Sequence, residues 1–286
     1  MTLTAAYLGP AGTHTEEALL ASAAVSVQRE PCATLHDTVM AVQSGKVDRA
    51  VVPIENSIEG GVAATLDALA GEAGDVRIVA EVVHPIHHHL VARPGLALED
   101  VATVVSMPHA TAQCARFLDA KLPRAERMAA TSTAEAVRIA GRSDGAVAAL
   151  GSRLAAELYG CRMLAEAVED RDDNVTRFVW LAREGDAREP AAGTPAKTSV
   201  VFWGFNDSSP GALVSVLGEL SQRGINLTRI ESRPQRVRLG HYMFFADLDG
   251  RAGDDHVAEA LGALSDRVHT LRMLGSYPAW ADRVPR

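Results

Sequence analysis

The segment DDNVTRFVWLA carries the most chemically loaded pair in the chain: Thr176 and Arg177 open an apolar strand, next to Asn174 and two aspartates. A hydroxyl beside a guanidinium is a poor choice for a buried strand. It suits a proton donor beside an anion clamp, because a guanidinium grips carboxylates through a planar fork. On pattern alone, the pair fits a strand-edge threonine with a solvated arginine equally well. Four other junctions carry small polar residues. GPAGTHTEEA sets Gly9 and Gly12 around a turn, with Thr13 and Thr15 placed to cap a helix. PIENSIEGG carries Asn56 and Ser57, and SMPHATAQC puts Ser106 at a strand end and Gln113 about two turns into the following helix. TSTAEA offers Thr131, Ser132 and Thr133, with Ser132 and Glu135 spaced as a capping box. Each residue alone reads as a cap or turn residue, where Ser, Thr and Asn are favoured anyway. Together they can ring a cleft with hydroxyls, amides and free N–H groups, which suits carboxylate binding.

Other clusters invite chemistry that their spacing does not sustain. HPIHHH holds His84, His87, His88 and His89, but on a strand His87 and His89 share one face while His84 and His88 share the other. No cysteine or carboxylate stands at ligand spacing, so no metal site is assigned. The glycines of GPAGT form neither GxGxxG nor a phosphate-binding loop ending in Lys-Ser/Thr, so no nucleotide and no other cofactor is expected. Cys32, Cys114 and Cys161 are odd in number and widely spaced, as in a reduced cytosolic protein.

The elements that must position these residues alternate strand-like and helix-like from the start, with near-continuous apolar strands. That pattern argues for parallel sheets covered on both faces, with ligands at the carboxyl ends of the strands. VRIVAEVVHPIHHHLVA reads as one extended β segment of double length. Residues 184–196, EGDAREPAAGTPA, lose all periodicity and read as a linker between two separately folded cores. Beyond them the order is β-α-β-β-α-β, the ferredoxin-like split βαβ. A length of 286 residues fits two domains. A net charge of -8 without basic runs gives no basis for nucleic-acid binding. The start MTLTAAYLGP lacks a signal peptide and no apolar run reaches membrane-spanning length, so a cytoplasmic protein with no membrane association is expected.

GPAGTHTEEA, VVPIENSIEGG, the Ser106-to-Gln113 segment, TSTAEA and NVTRF, in this order, resemble the catalytic domain of the prephenate dehydratases. GALV at 211–214 and IESRP at 230–234 resemble the phenylalanine-binding motifs of the ACT domain fused behind it. The likeness runs from about Tyr7 to Pro278. It implies a catalytic domain at 1–183, with two α/β subdomains hinged near 80–90 and 170–176 like a periplasmic binding protein. A linker at 184–196 and an ACT domain at 197–278 would follow.

The resemblance further implies that prephenate loses water and CO2 to give phenylpyruvate in phenylalanine biosynthesis. Thr176 would be the catalytic threonine and Arg177 its neighbour, with Asn56, Ser106 and Gln113 also catalytic. Thr13, Ser57, Ser132 and Thr133 would bind substrate. Met107 stands where the family commonly has His. Phenylalanine, as allosteric effector, would lie against Gly211, Ala212, Leu213 and Val214, with Pro210 in the first turn. Glu231, Ser232 and Arg233 would close the pocket across the interface of a homodimer or homotetramer. Arogenate dehydration, with an amino group replacing the side-chain ketone, shares these motifs. A non-catalytic amino-acid sensor shares the fold but has no need of the Thr176–Arg177 pair.

Overall fold

The computed structural model describes residues 2–205 and 209–280. The first lobe is built from β1 (Leu3–Leu8), α1 (His14–Ser22), β2 (Val27–Cys32), α2 (Leu35–Gln43), β3 (Arg49–Asn56), the short β4 (Gly60–Gly61), α3 (Ala63–Ala70) and β5 (Val76–Pro85). The second follows as β6 (His89–Ala92), β7 (Thr103–Ser106), α4 (Pro108–Gln113), α5 (Ala115–Lys121), β8 (Glu126–Ala129), α6 (Thr133–Arg142), β9 (Val147–Gly151), α7 (Arg153–Leu158) and β10 (Arg162–Ala165). The chain then re-enters the first lobe as β11 (Val175–Arg183), between β3 and β5, giving a sheet ordered β2-β1-β3-β11-β5. Hydroxyls start four of the helices: Thr13, Thr34, Ser132 and Ser152 each accept a backbone N–H from the first turn.

The sheets are mixed rather than parallel. β11 comes back from the other lobe and therefore runs antiparallel to both β3 and β5, and β6 is antiparallel to β9 and β10. An apolar run records burial on both faces but not direction. The double-length segment at 76–92 is likewise two strands in two different sheets, broken at Ile86–His88 where the chain crosses between lobes. A second crossing precedes β11. The two are tied together: Ile86 N donates to Asn174 O at 2.9 Å and Val168 N to His88 O at 2.8 Å.

β12 (Ala196–Trp203), α8 (Ala212–Ser221), β13 (Leu227–Pro234), β14 (Tyr242–Asp249), α9 (Asp255–Arg267) and β15 (Thr270–Pro278) form the βαββαβ unit, with sheet order β13-β14-β12-β15. Its helices cover one face, packing Val216, Leu220, Val257 and Leu264 on Val200 and Phe202. The other face is largely covered as well. Val201, Phe245, Leu274 and Tyr277 belong to the same apolar cluster as Leu66, Leu69 and Ile78 of the first lobe. The stretch 184–196 therefore does not separate two independent cores. Burying a large apolar side chain is worth roughly 1.5–3 kcal/mol, so parting the two units would expose more than a marginally stable domain tolerates. No helix among the described residues is long and apolar enough to cross a membrane.

β15 lies on β5 so closely that a methyl at Gly275 would stand 2.9 Å from the backbone N and C of Ile78, and closer still to its carbonyl oxygen. Gly275→Ala is expected to destabilise the whole protein by about 1–3 kcal/mol through overpacking at this junction. Thermal unfolding checks this. An unchanged Tm would mean that the two units separate freely.

Candidate functional site

The carboxyl end of β3 and the start of β11 meet in register, Asn56 opposite Thr176, with His84 of β5 on the other side of Thr176. One chain of hydrogen bonds fixes the orientation of every group here, beginning from backbone amides that can only donate. Ile58 N and Glu59 N reach the same atom of Asn56 at 2.9 and 3.0 Å, so that atom is Oδ1. Asn56 Nδ2 then faces Thr176 Oγ1 at 2.9 Å and Asn174 Oδ1 at 2.8 Å, with Val175 O at 3.2 Å. Asn174 must turn its Nδ2 the other way, to Gln113 Oε1 at 3.1 Å. Since Gln113 Oε1 is an acceptor, His88 Nε2, 3.0 Å from it, carries the proton. The network joins the first lobe, both crossings and α4 of the second lobe. It leaves the buried Thr176 hydroxyl with an N–H donated to its oxygen and its own proton free for a ligand.

The other polar junction residues are distributed less simply. Ser57 Oγ donates to Asp173 O at 3.2 Å and accepts from Val175 N at 3.0 Å, so it pins the crossing before Thr176. Thr13 caps α1 and donates to Leu8 O at 2.8 Å. Its loop locks the lobes together: Ser152 Oγ donates to Gly12 O and Tyr159 OH to Ala11 O, each at 2.8 Å. Gly12 has φ +90, and an added Cβ would stand 2.9 Å from Ala155 Cα, so only glycine permits this approach. Ser132 caps α6, accepting from Glu135 N at 3.0 Å, with Thr133 buried beside it; Glu135 turns to Arg138 rather than back to complete the box. Ser106 is fully buried and donates to Leu150 O at 3.2 Å, tying β7 to β9. That hydroxyl does not face the cleft as the sequence suggested. The helix expected to run through Gln113 breaks at Cys114, because Asp170 N takes the Gln113 carbonyl at 2.6 Å.

Arg177 departs furthest from expectation. Neighbours on a strand face opposite sides, so with Thr176 toward the cleft Arg177 points away from it. Its guanidinium is buried and occupied, with Nε to Glu55 at 3.1 Å, Nη1 to Glu81 at 3.0 Å and Nη2 to Asp247 of β14 at 2.5 Å. It is not a carboxylate clamp in this arrangement. No motif or spacing marks Asn174 and His88 as parts of the site. In the sequence Asn174 stands out only as a neighbour of Thr176, and His88 only as one of a run of histidines.

The histidines are spread over several partners. His14 Nδ1 and Glu17 lie 2.8 Å apart, with His84 Nε2 at 3.6 Å from the same carboxylate; His87 Nδ1 is 2.7 Å from Glu169, and Ala167 N donates to His89 Nδ1 at 3.1 Å. Among the described residues no group of three or more His, Cys, Asp or Glu is placed to hold a metal. Burial pushes the Cys114 thiol up to about 12, with Glu169 and Asp170 adding to it, which makes it a poor nucleophile.

At the far end of the βαββαβ unit Gly211, with φ +82, is the N-cap of α8, one residue after Pro210; the helix itself starts at Ala212. Gly211, Ala212, Leu213 and Val214 line a hollow of about 400 Å³ with Phe205, Tyr242 and Phe244. Ser232 on β13 is exposed. Arg233 turns to the first lobe, binding Asp67 through Nε at 3.1 Å and Nη2 at 2.8 Å, and the Glu231 carboxylate fills the space where a Cβ of Gly61 would stand. Within one chain, then, Glu231 and Arg233 do not line the Gly211 hollow.

Burial, reinforced by His14 alongside, pushes His88 down to about 4. Above an unfolded-state value of about 6.5 the ring is neutral in both states. As pH falls toward about 4, the unfolded chain gains a proton that the folded one refuses, so stability is lost across that window, on the order of 3 kcal/mol in all. Urea unfolding at pH 7 and pH 5 should show a smaller loss in His88→Asn than in the parent. Equal losses would show that the ring is not held neutral.

The family model described as Prephenate dehydratase matches residues 5–186, and the ACT domain model matches residues 206–266. The prephenate dehydratase of Mycobacterium tuberculosis is 43% identical over 284 residues, spanning 96% of this chain and 86% of that protein. The crystal structure of prephenate dehydratase in complex with L-Phe from Arthrobacter aurescens superposes with a TM-score of 0.89 at 41% identity, covering 99% of this chain and 92% of that one. GqqA, described as a novel type of quorum quenching acylase, has a TM-score of 0.88 at 32% identity over 98% of this chain and 100% of that one. With a catalytic model and a regulatory model matched in sequence over most of its length, this chain belongs to the prephenate dehydratase family and carries a C-terminal ACT domain.

Proposed function

We propose that the chain converts prephenate to phenylpyruvate, with the Thr176 hydroxyl as proton donor to the departing ring oxygen. The observation that carries this is the orientation of that hydroxyl: Asn56 Nδ2 donates to Oγ1 at 2.9 Å, so the remaining Thr176 O–H can only donate elsewhere. The reaction breaks the C–O bond of the ring hydroxyl and the C–C bond to the ring carboxylate. The electron pair released with CO2 flows into the ring as water leaves, and aromatisation supplies the driving force. No electron sink is needed, only a held geometry and a proton. A threonine is too weak an acid to protonate the oxygen beforehand, so it delivers the proton as the C–O bond breaks. The net reaction consumes one proton, which the threonine must regain from solvent before the next turnover. Asn56, Asn174 and Gln113 hold the hydroxyl in place. The substrate carboxylates would lie against the N-terminal amides of α1 and α6, capped by Thr13 and by Ser132 with Thr133 beside it.

Phenylalanine is the effector in this reading, with its carboxylate at the amides that open α8 and its ring in the hollow beside Phe205, Tyr242 and Phe244. Val214, Ile230 and Tyr242 are exposed apolar side chains on this unit. A homodimer, or a dimer of dimers, formed through these units would cover them and bring Ser232 of one copy toward the hollow of the other. Cytoplasmic biosynthesis is the matching setting.

Mixing purified protein with prephenate should produce the alkaline ultraviolet absorbance of phenylpyruvate; turnover of arogenate alone would reassign the substrate. Thr176→Ala should lower kcat by roughly 10²–10⁴-fold with a smaller change in KM, and Thr176→Ser should keep much of the rate. Near-parental turnover in the alanine variant would remove Thr176 from the chemistry. For the effector, Gly211→Val places a β-branched residue at positive φ against the ligand amides. Calorimetry should show phenylalanine binding lost, with turnover in its absence retained. Undiminished binding would put the effector elsewhere.

A further inference from the structure

Asp247 lies where the sensing unit meets the catalytic strand. It is almost fully buried, and its Oδ2 accepts two guanidinium bonds, from Arg177 Nη2 at 2.5 Å and from Arg229 Nε at 2.9 Å. Its Oδ1 accepts from Ser199 Oγ at 2.7 Å, and Ser199 in turn meets Tyr277 OH at 2.7 Å. Burial alone would raise this carboxyl, but the flanking Arg229 and Arg177 outweigh it and hold the group at about 2, a carboxylate at any working pH.

The two guanidiniums come from different units of the molecule. Arg177 is the residue after Thr176 on β11, and through Nε it also grips Glu55, the residue before Asn56 on β3. Arg229 is on β13, where its Nη1 lies 3.0 Å from Glu231 of the IESRP motif. The same strand reaches the site by a second route. The Glu231 carboxylate sits against Gly61, and β4 pairs Gly60 and Gly61 with Asn56 and Glu55. Two contacts from one strand of the sensing unit therefore end one residue away from Thr176 and Asn56.

We propose that Asp247 is the coupling point through which the sensing unit acts on the Thr176 hydroxyl, with Arg177 a positioning residue and Arg229 the input from β13. This rests on the effector reading given above. A ligand that shifts β13 moves Arg229. Asp247 must then redistribute its bonds, and Arg177, whose buried Nη2 is bonded to Asp247 while Glu55 and Glu81 hold its other nitrogens, shifts with it. Because Arg177 holds β11 and β3 one residue from Thr176 and Asn56, the Oγ1–Nδ2 contact that aims the proton changes with it. The alternative is an ion cluster that merely glues two units together. Such a cluster would lower stability when cut, without parting ligand binding from inhibition.

The test is Arg229→Met in the full-length protein, with phenylalanine as probe. Calorimetric binding should be retained and turnover without phenylalanine should stay within about twofold of the parent, while inhibition, typically about 5- to 150-fold for such coupling, falls below about twofold. Amide exchange without any ligand should quicken across residues 175–179 and stay unchanged across Val147–Gly151 of the second lobe. Should the methionine variant not fold, Arg229→Lys, which keeps the charge but not the Nε contact, is read the same way. Full inhibition with binding intact overturns the proposal, as does unaltered exchange across 175–179, whatever happens to Tm. A parent protein that neither binds phenylalanine nor is inhibited by it removes the effector reading alone, and the exchange measurement then decides the wiring.

Discussion

A guanidinium withdrawn from water must be met by carboxylates from whatever packs around it, and at Arg177 those carboxylates come from three strands. Glu55 and Glu81 flank it on β3 and β5, and Asp247 arrives from the sheet of the C-terminal unit. Lys197 of β12 adds a second cation to Glu81 at 2.9 Å. Arg177, Glu81 and Asp247 are buried, so each of these charges relies on the others across the junction between the catalytic sheet and the ACT unit. The apolar cluster shared by Leu66, Ile78, Phe245 and Tyr277 supplies the bulk attraction. The ion cluster supplies the register, because charges in an apolar junction tolerate only one alignment.

On the opposite face of the same strand the physics is neutral. Thr176, Asn56, Asn174, Gln113 and His88 form a chain of uncharged hydrogen bonds that begins at two backbone amides and ends at an imidazole held without charge. A neutral donor set suits a reaction whose substrate is a dianion and whose products need only release. Because the chain of amides crosses both connections between the lobes, the aim of Thr176 depends on how the lobes sit, and the loop at Gly12 is what holds them.

Alternation along β11 sets two unlike environments on opposite faces of one strand. Thr176 faces the neutral network and Arg177 faces the ACT unit, a single Cα–Cα step apart.

Much of this was legible in the sequence, for reasons that are local. Caps at Thr13, Ser132 and Ser152 follow from hydroxyls satisfying free amides within one turn, and the βαββαβ order follows from period and turn chemistry alone. The edge strands β2, β8 and β10 were not legible. With one side or more in solvent they carry no apolar run to reveal them. Strand direction was not legible either, since β11 reaches its place only after a whole lobe has intervened. The motifs single out Thr176, Asn56 and Gln113 by residue type, a local property, and the structure brings them into one hydrogen-bonded chain. Which way Arg177 points, that Ser106 bonds a neighbouring strand, and that Glu231 and Arg233 reach into the first lobe were decided only by the tertiary structure. A side chain's partners are set by what packs over it, and here those partners lie 44 to 170 positions away along the chain.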